Sequence, residues 1–508
     1  MRDLSRVLIQ LRNESDETLG PPFDVETDIT TSKLQLICNK LLDNEEAQLF
    51  SFYVNKDIPI SNSLNKIYDF EIHGTEDTIN ITFFPQSLYR VYPVTRCTSS
   101  LPGHEEAILS IQFSPNGRQL ASGAGDKTIR FWDLDTQTPL YECKEHNHWV
   151  LCISWSPDGK KLASADKNGK ICLWNPSTGK LLGKTINAHN QWVNYITWEP
   201  MHINPKCRRF ASCSKDCVIK IWDSVSRLCL MCLSGHSASV TYVKWGAKNL
   251  IYSSSQDRTI KIWDATDGSL FRNLQCHAHW VNALALSTDY ILRTSCYDFE
   301  NYKDQNYDSL SNEELSKLAR DRYFKMNKNN QERIVSASDD FTLCLWRDQE
   351  TNVIPKNKIA NENTNGDKSE KSGWLIAKMT GHCQTVNHVQ FSPNGLLIAS
   401  ASFDKSVKIW HGLSGKYLFS LRGHVQRVYQ ISFSNDNRLL VSASADSTIK
   451  IWKLNLSASE ENDKKSKQTH LCVDLPGHAD EVYAVDWSPD GSTVASGGKD
   501  KILKIWKK

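Results

Sequence analysis

Three residue types that build nucleophilic active sites recur in this sequence at fixed spacing. Histidines stand at His104, His146, His189, His236, His277, His382, His424 and His478. Each is followed by a tryptophan, at Trp132, Trp174, Trp222, Trp263, Trp346, Trp410, Trp452 and Trp506, and ten residues before each tryptophan lies a serine: Ser122, Ser164, Ser212, Ser253, Ser336, Ser400, Ser442 and Ser496. Six residues before it lies an aspartate in seven copies, Asp126, Asp216, Asp257, Asp340, Asp404, Asp446 and Asp500, with Asn168 in that place in the second copy. A Ser, a His and an Asp can together make an activated nucleophile. An enzyme needs one pocket with one oriented set, however, and eight equivalent sets are the mark of a repeated structural unit. No catalytic residue is expected among them.

The elements around these residues read as strands. In the first unit ILSIQFS alternates apolar with polar residues, SPNGRQ supplies a turn, QLASG is a second strand, GDKT a tight turn and TIRFWD a third strand. The separation of His from Trp is 28 in five of the eight copies. Units of about 40 residues built this way are the pattern of propeller blades. Residues 101 to 508 resemble WD-repeat proteins, and the resemblance implies eight blades. It also implies that each tetrad, such as His104, Ser122, Asp126 and Trp132, is an internal hydrogen-bond network that satisfies buried polar atoms. The chain ends two residues after Trp506, which leaves the eighth blade without an outer strand. The segment SLYRVYPVTRC, residues 87–97, is expected to supply it and close the ring.

Other residue groupings with chemical potential are read as structural. Cys207, Cys213, Cys217, Cys229 and Cys232 include a CxxC, yet Cys213 directly follows the blade-three Ser212 and Cys217 its Asp216, and Cys229 and Cys232 point to opposite faces of an outer strand. No zinc site is expected, and the fifteen cysteines are read as reduced thiols. No Walker loop, HExxH or GxSxG appears. His148, Trp149, Trp192, His279 and Trp280 lie beside the Gly-His positions, where loops open onto one face; packing between blades is the expected role of most of them, and partner contact the alternative.

Blade five is interrupted by about 41 residues, expected as a helical insertion over 291–331. Ser311 with Glu314 makes a capping box, and Leu315, Leu318, Tyr323 and Phe324 give an apolar stripe. The helix either folds back on its own blade or meets a partner. The polar tract 355–373, and the shorter one 457–468, read as disordered loops.

Composition bounds the function class. The chain has 508 residues and a net charge of +2, split into an acidic first hundred residues, net −6, and a basic remainder, net +8. An excess of this size does not establish nucleic-acid binding, and it suits a protein that docks on an RNA-rich surface. No run of about 18 apolar residues predicts a membrane span, and the first residues meet charge before a signal core forms. An intracellular, reducing location is expected.

Residues 1–86 lie outside the repeat. RVLIQLR and FDVETDI read as strands, SKLQLICNKLL as a helix from Thr31 or Ser32, and LFSFYV and TINITFF as later strands. Leu34, Ile37, Leu41 and Leu42 are expected to cover the sheet, giving an α+β domain similar to ubiquitin. The expected fold class is therefore mainly β: an eight-bladed WD-repeat β-propeller over 87–508 behind an N-terminal ubiquitin-like domain. With the phrases VYPVTRCTSSLPGH, NHWVLCISWSPDG, SKDCVIKIWD and HAHWVNALALSTDY, the whole chain resembles the Notchless family of ribosome-assembly factors.

That resemblance implies a non-enzymatic factor without cofactors, a monomer within a large nuclear and nucleolar particle. Its implied partners are pre-60S ribosomal proteins, assembly factors and rRNA through the propeller, and the Mg²⁺-dependent adhesion site of the ATPase midasin through the head. The residue it singles out is Glu76, in the loop HGTEDTI, whose carboxylate would fill an open position on the partner's Mg²⁺; the isolated chain would hold no metal. The alternative function is a substrate receptor or adaptor of a ubiquitin ligase, although the head occupies the place where such receptors carry a ligase-binding element.

Overall fold

The computed structural model describes residues 6–12, 18–26, 29–42, 50–54, 58–59, 79–85, 91–299, 307, 310–326, 331–347, 374–454 and 471–508. Glu76 and the tracts 355–373 and 457–468 lie outside the described residues. The chain divides into two compact units, Met1–Arg90 and Val91–Lys508.

In the first unit β1 (Arg6–Arg12) pairs antiparallel with β2 (Phe23–Glu26) and parallel with β5 (Ile79–Pro85). On its other side β5 pairs with β3 (Phe50–Val54), which carries the short β4 (Ile58–Pro59). Strand alternation buries Val7, Ile9 and Leu11 with Ile79, Ile81 and Phe83, and the helix α1 (Thr31–Leu41) sets Leu34 and Cys38, one turn apart, against them. Ile37 and Leu42 pack at the margin. Leu41 does not cover the sheet: it is the last helical residue, 42% exposed, and Leu42 turns inward instead.

The second unit holds eight four-stranded antiparallel sheets. In the first, the strands a to d from the innermost outward are Ile108–Phe113, Gln119–Ala124, Ile129–Asp133 and Thr138–Cys143. Innermost strands of successive sheets adjoin around the ring, and Val482–Trp487 of the eighth adjoins Ile108–Phe113 of the first. This is an eight-bladed propeller. The b strands are rich in small residues, as in QLASGA, LASAD and LIASAS, because both their faces are buried between neighbouring sheets. At Gly497 a Cβ would stand 2.6 Å from Ile111 Cδ1, so the eighth sheet meets the first too closely for any side chain there. The register of every a–b pair also slips at the same place, as between Ile108 and Ser110 or Val482 and Ala484, a bulge that adds twist at the start of each inner strand.

The ring is closed by β6 (Arg96–Pro102), which pairs with Ile502–Lys507 from Ile502↔Pro102 to Lys507↔Arg96. This differs from the expected 87–97. Outer strands end just before a Gly-His, as Cys229–Ser234 does before His236, and the closing strand keeps that offset from His104 while Pro93 stands outside it. Cysteine chemistry also departs from expectation at one pair, Cys276 and Cys344, which are joined in a disulfide. Cys276 precedes His277 and Cys344 lies two residues before Trp346. In blade three the equivalent positions bring Lys220 Nζ within 2.7 Å of Ala188 O, so the repeat itself places these residues in contact.

Candidate interaction faces

Each tetrad is a single chain of hydrogen bonds. Trp132 Nε1 donates to Ser122 Oγ at 2.9 Å, Ser122 Oγ lies 2.8 Å from His104 Nε2, and His104 Nδ1 lies 2.8 Å from Asp126 Oδ2. The indole donates only, and the carboxylate accepts only. A neutral imidazole protonated at Nδ1 and accepting the Ser hydroxyl at Nε2 therefore satisfies the whole chain. The same contacts join His382, Ser400, Asp404 and Trp410; His424, Ser442, Asp446 and Trp452; and His478, Ser496, Asp500 and Trp506. Burial alone would raise the carboxyls, but bonds from His and backbone N–H outweigh it. Asp126, Asp257, Asp340, Asp404 and Asp446, which also accept from a Ser or Thr hydroxyl two residues on, are held well below the usual carboxylate range. All eight serine side chains are fully buried, each oxygen held by an indole and an imidazole, so none can meet a substrate.

The second tetrad contains a residue that the spacing did not reveal. Asp166, two places before Asn168, takes the aspartate's role: its Oδ2 lies 3.1 Å from His146 Nδ1, and its Oδ1 accepts from the backbone N–H of Asn168 and of Lys170, both at 2.9 Å. The turn closes through Gly169, at φ 83°, where a Cβ would collide with His189 O. The motif DKNG, an Asp ahead of an Asn-Gly turn, is the signal that would have located it.

The five clustered cysteines do not converge. Cys207 and Cys213 are buried, which pushes both thiols well above their ordinary value, whereas Cys229 and Cys232 are exposed on the outer strand of blade three. Among the described residues no group of three or more His, Cys, Asp or Glu side chains is placed to hold a metal ion.

The two faces of the propeller differ. In antiparallel blades the a–b and c–d turns emerge on one face, and the b–c turns and Gly-His loops on the other. The blade-five insertion interrupts an a–b turn, so it lies on the first face, between the strands Val281–Leu286 and Arg333–Ser338. It starts earlier than the expected 291, with α2 (Asp289–Thr294), and continues into α3 (Asn312–Met326). The capping box forms, Ser311 N donating to Glu314 Oε2 at 2.8 Å.

Neither expected destination of this helix is the whole of what it does, because it folds across the a–b turns of other blades. Leu315, Ala319 and Tyr323 are buried against Met201, Cys207, Cys296 and Ala247, while Phe324 is exposed rather than part of the stripe. His202 stacks on Tyr323 with 5.1 Å between centroids, and burial pushes its pKa down. Lys160 Nζ of blade two lies 3.1 Å from Asn312 Oδ1, Ser316 Oγ donates to Met201 O at 3.2 Å, and Tyr290 OH to Pro489 O of blade eight at 3.2 Å. Arg293 reaches across to Asp486, with Nη1 2.9 Å from Oδ1, and to Phe113 O at 3.3 Å.

Behind this cap lies the central cavity, about 410 Å³, lined by all eight inner strands and by Asp289, Tyr290 and Arg293 of α2. Its charges are paired, Lys244 with Asp289 at 3.2 Å and Arg293 with Asp486. His388 has no hydrogen-bond partner at Nδ1, and burial, with Lys244 nearby, pushes its pKa down to about 4.

The opposite face carries Trp149, Trp192 and Trp280, one residue before the inner strands of blades two, three and five. They are 43%, 41% and 46% exposed and so are not packed between blades, contrary to the expectation for most of the rim aromatics. The corresponding loops of blades one and eight carry Glu105, Glu106, Asp480 and Glu481.

Comparison with known proteins follows this division of the chain. A family model described as the NLE (NUC135) domain matches residues 7–68, and the model of the WD domain, G-beta repeat, matches 95–133, 137–175, 180–223, 227–264, 373–411, 415–453 and 468–507. The three inner strands of blade five and its insertion fall between two matched segments, while its outer strand Leu375–Met379 lies inside the second. Protein Notchless of Drosophila melanogaster is 48% identical over 76% of this chain and 75% of its own length. Notchless protein homolog of Arabidopsis thaliana is 46% identical over 81% of each chain. Ribosome assembly protein 4 of Saccharomyces cerevisiae is 41% identical over 82% of this chain and 80% of its own. Among solved structures, the computationally designed Ika8 protein superposes with a TM-score of 0.57 at 24% identity, over 80% of this chain and 98% of that one, which supports the propeller fold.

Proposed function

This chain belongs to the Notchless family, which includes ribosome assembly protein 4, and we propose that it is a non-enzymatic assembly factor of the large (60S) ribosomal subunit, acting in the nucleus and nucleolus. The observation that carries this is identity of 41% to a ribosome assembly protein over 80% of that protein's length. In this reading the propeller docks on the pre-60S particle among ribosomal proteins, assembly factors and rRNA. The head is engaged by the adhesion-site domain of a midasin-type ATPase, so that ATP-driven force remodels the particle.

Two features support a scaffold rather than a catalyst. The repeated Ser and His side chains are buried and hydrogen-bonded within their own tetrads, and the ion pairs described in the cavity are internal. For the head, the proposal is that Glu76 supplies a carboxylate to the partner's Mg²⁺, a hard cation that takes oxygen ligands at short range. Glu→Asp keeps the charge and shortens the reach, so it separates coordination from bulk electrostatics.

The test uses the full chain. Gradient sedimentation should place it with pre-60S particles at low salt and release it at higher salt. A pull-down against the midasin adhesion domain should require Mg²⁺ and fail with EDTA or with Glu76→Asp. Binding that survives both treatments would remove Glu76 from the proposal, and absence from the particles would remove the assembly role.

A further inference from the structure

The face opposite the cap carries a run of indoles and cations across blades two and three, and a further indole and cation at blades four and five. Lys167 Nζ lies 4.7 Å from the ring centroid of Trp149 and 4.4 Å from that of Trp192, so one ammonium group bridges the indoles of blades two and three. Lys215 Nζ stands 4.6 Å from the same Trp192 ring. Farther along, Trp280 and the exposed Arg258 line a surface pocket of about 340 Å³ between blades four and five. Among the described residues no carboxylate forms an ion pair with Lys167, Lys215 or Arg258, although Lys and Asp pair readily elsewhere, as at Lys244 and Asp289.

We propose that this arc, from Trp149 through Trp192 to Trp280, binds single-stranded RNA. Every base has a π-face, so aromatic side chains at intervals hold successive bases without reading sequence, while cations between them meet the phosphates. Both requirements are present here, alternating from Trp149 through Lys167 and Trp192 to Lys215. The lysines are held over indoles by cation–π attraction, so little side-chain freedom remains to be lost when a phosphate arrives. Duplex RNA does not fit, because its bases are stacked on one another and its recognition runs through shape and 2′-hydroxyl contacts. An acidic peptide would use the cations but leaves three separated indoles without a role. The acidic loops of blades one and eight repel phosphate and bound the arc on its blade-two side. The inference adds a face and a mode of contact to the assembly-factor reading and rests on that reading only for the source of the RNA.

The test is fluorescence anisotropy of the full chain with a labelled single-stranded oligouridylate. The same strand paired with its complement, and a polyglutamate peptide of equal charge, serve as comparison probes. The single strand should bind tightest. Trp149→Ala with Trp192→Ala should weaken it by roughly tenfold or more, given the usual strength of base–aromatic stacking. Lys167→Gln with Lys215→Gln leaves both indoles in place and should lower the slope of log affinity against log salt by about 1.4, two phosphate contacts' worth on a single strand. Circular dichroism of each variant keeps a folding defect apart from a binding defect. The proposal is overturned if the single strand does not bind, if duplex or polyglutamate binds as well, or if both double variants bind like the wild type. Particle sedimentation of the same samples separates the two readings: a chain that sediments with pre-60S particles but ignores the single strand refutes this inference alone.

Discussion

The two faces of one propeller are built from the same repeat and have been put to opposite uses. On the a–b face, blade five spends its insertion on a helical cap whose Leu315, Ala319 and Tyr323 are buried against turns of other blades and whose Arg293 reaches Asp486 on blade eight. On the Gly-His face, Trp149, Trp192 and Trp280 stay at the surface beside cations that form no ion pair among the described residues. The difference teaches that an aromatic residue in a repeat protein is informative only once its loop is assigned to a face, because the same residue type serves stability on one side and contact on the other.

The widest separation between the faces should appear on truncating one aromatic from each. Tyr323→Ala should cost about 3–5 kcal/mol in urea denaturation, since it empties a buried, stacked site, whereas Trp280→Ala should stay within about 0.5 kcal/mol. Equal costs would break the comparison. Asp486→Ala comes next, at about 3 kcal/mol, because it leaves Arg293 charged and unpaired under the cap; no change would mean that the cap is not fastened there.

Within the ring, Ser442→Ala should cost about 1–3 kcal/mol by leaving an indole N–H and an imidazole unsatisfied. Ser336→Ala in blade five should cost less. Its network is already looser, with Trp346 Nε1 3.2 Å from Ser336 and His277 Nδ1 3.2 Å from Asp340, against 2.8 Å and 2.9 Å for the same contacts in blade seven.

Acid should weaken the fold in two stages. His388 and His382 have folded pKa values pushed below the unfolded value, by burial first, so the unfolded chain takes up protons sooner and stability falls as pH drops below about 6.5. For His388 that loss runs down to about 4. The tetrad aspartates act lower still: their contribution is present above about pH 4 and is lost as pH falls toward their depressed folded values. His388→Gln should flatten the first stage of a melting-temperature profile and leave the second. The smallest effect belongs to the open face, where Lys167→Gln should leave the melting temperature unchanged to within a degree or two.

How much of this was legible in the sequence depended on whether the signal was local and repeated. The tetrads were legible because eight copies align, and the α1 helix because Leu34 and Ile37 mark its face. Asp166 was not, since a hydrogen-bond role passed to a residue two places away when the turn around Gly169 changed shape. The closing strand was placed early, at 87–97, because strand character alone ignores register, and the offset before His104 decides it. The capping box at Ser311 was readable, but the destination of its helix was not: contacts between α3 and Met201 or His202 join residues more than a hundred positions apart, and no local pattern encodes them. The exposure of Trp149, Trp192 and Trp280 is likewise a property of the assembled ring.

The most direct test of the contrast between faces is amide hydrogen exchange of the full chain, free and bound to pre-60S particles. The account predicts new protection in the Gly-His loops and b–c turns of blades two to five, around Trp149, Lys167, Trp192, Lys215 and Trp280, with the helices Asp289–Thr294 and Asn312–Met326 unchanged because they already pack on the ring through Ile291, Leu315, Ala319 and Tyr323. Protection that falls on the cap and spares the Trp-bearing loops would contradict it.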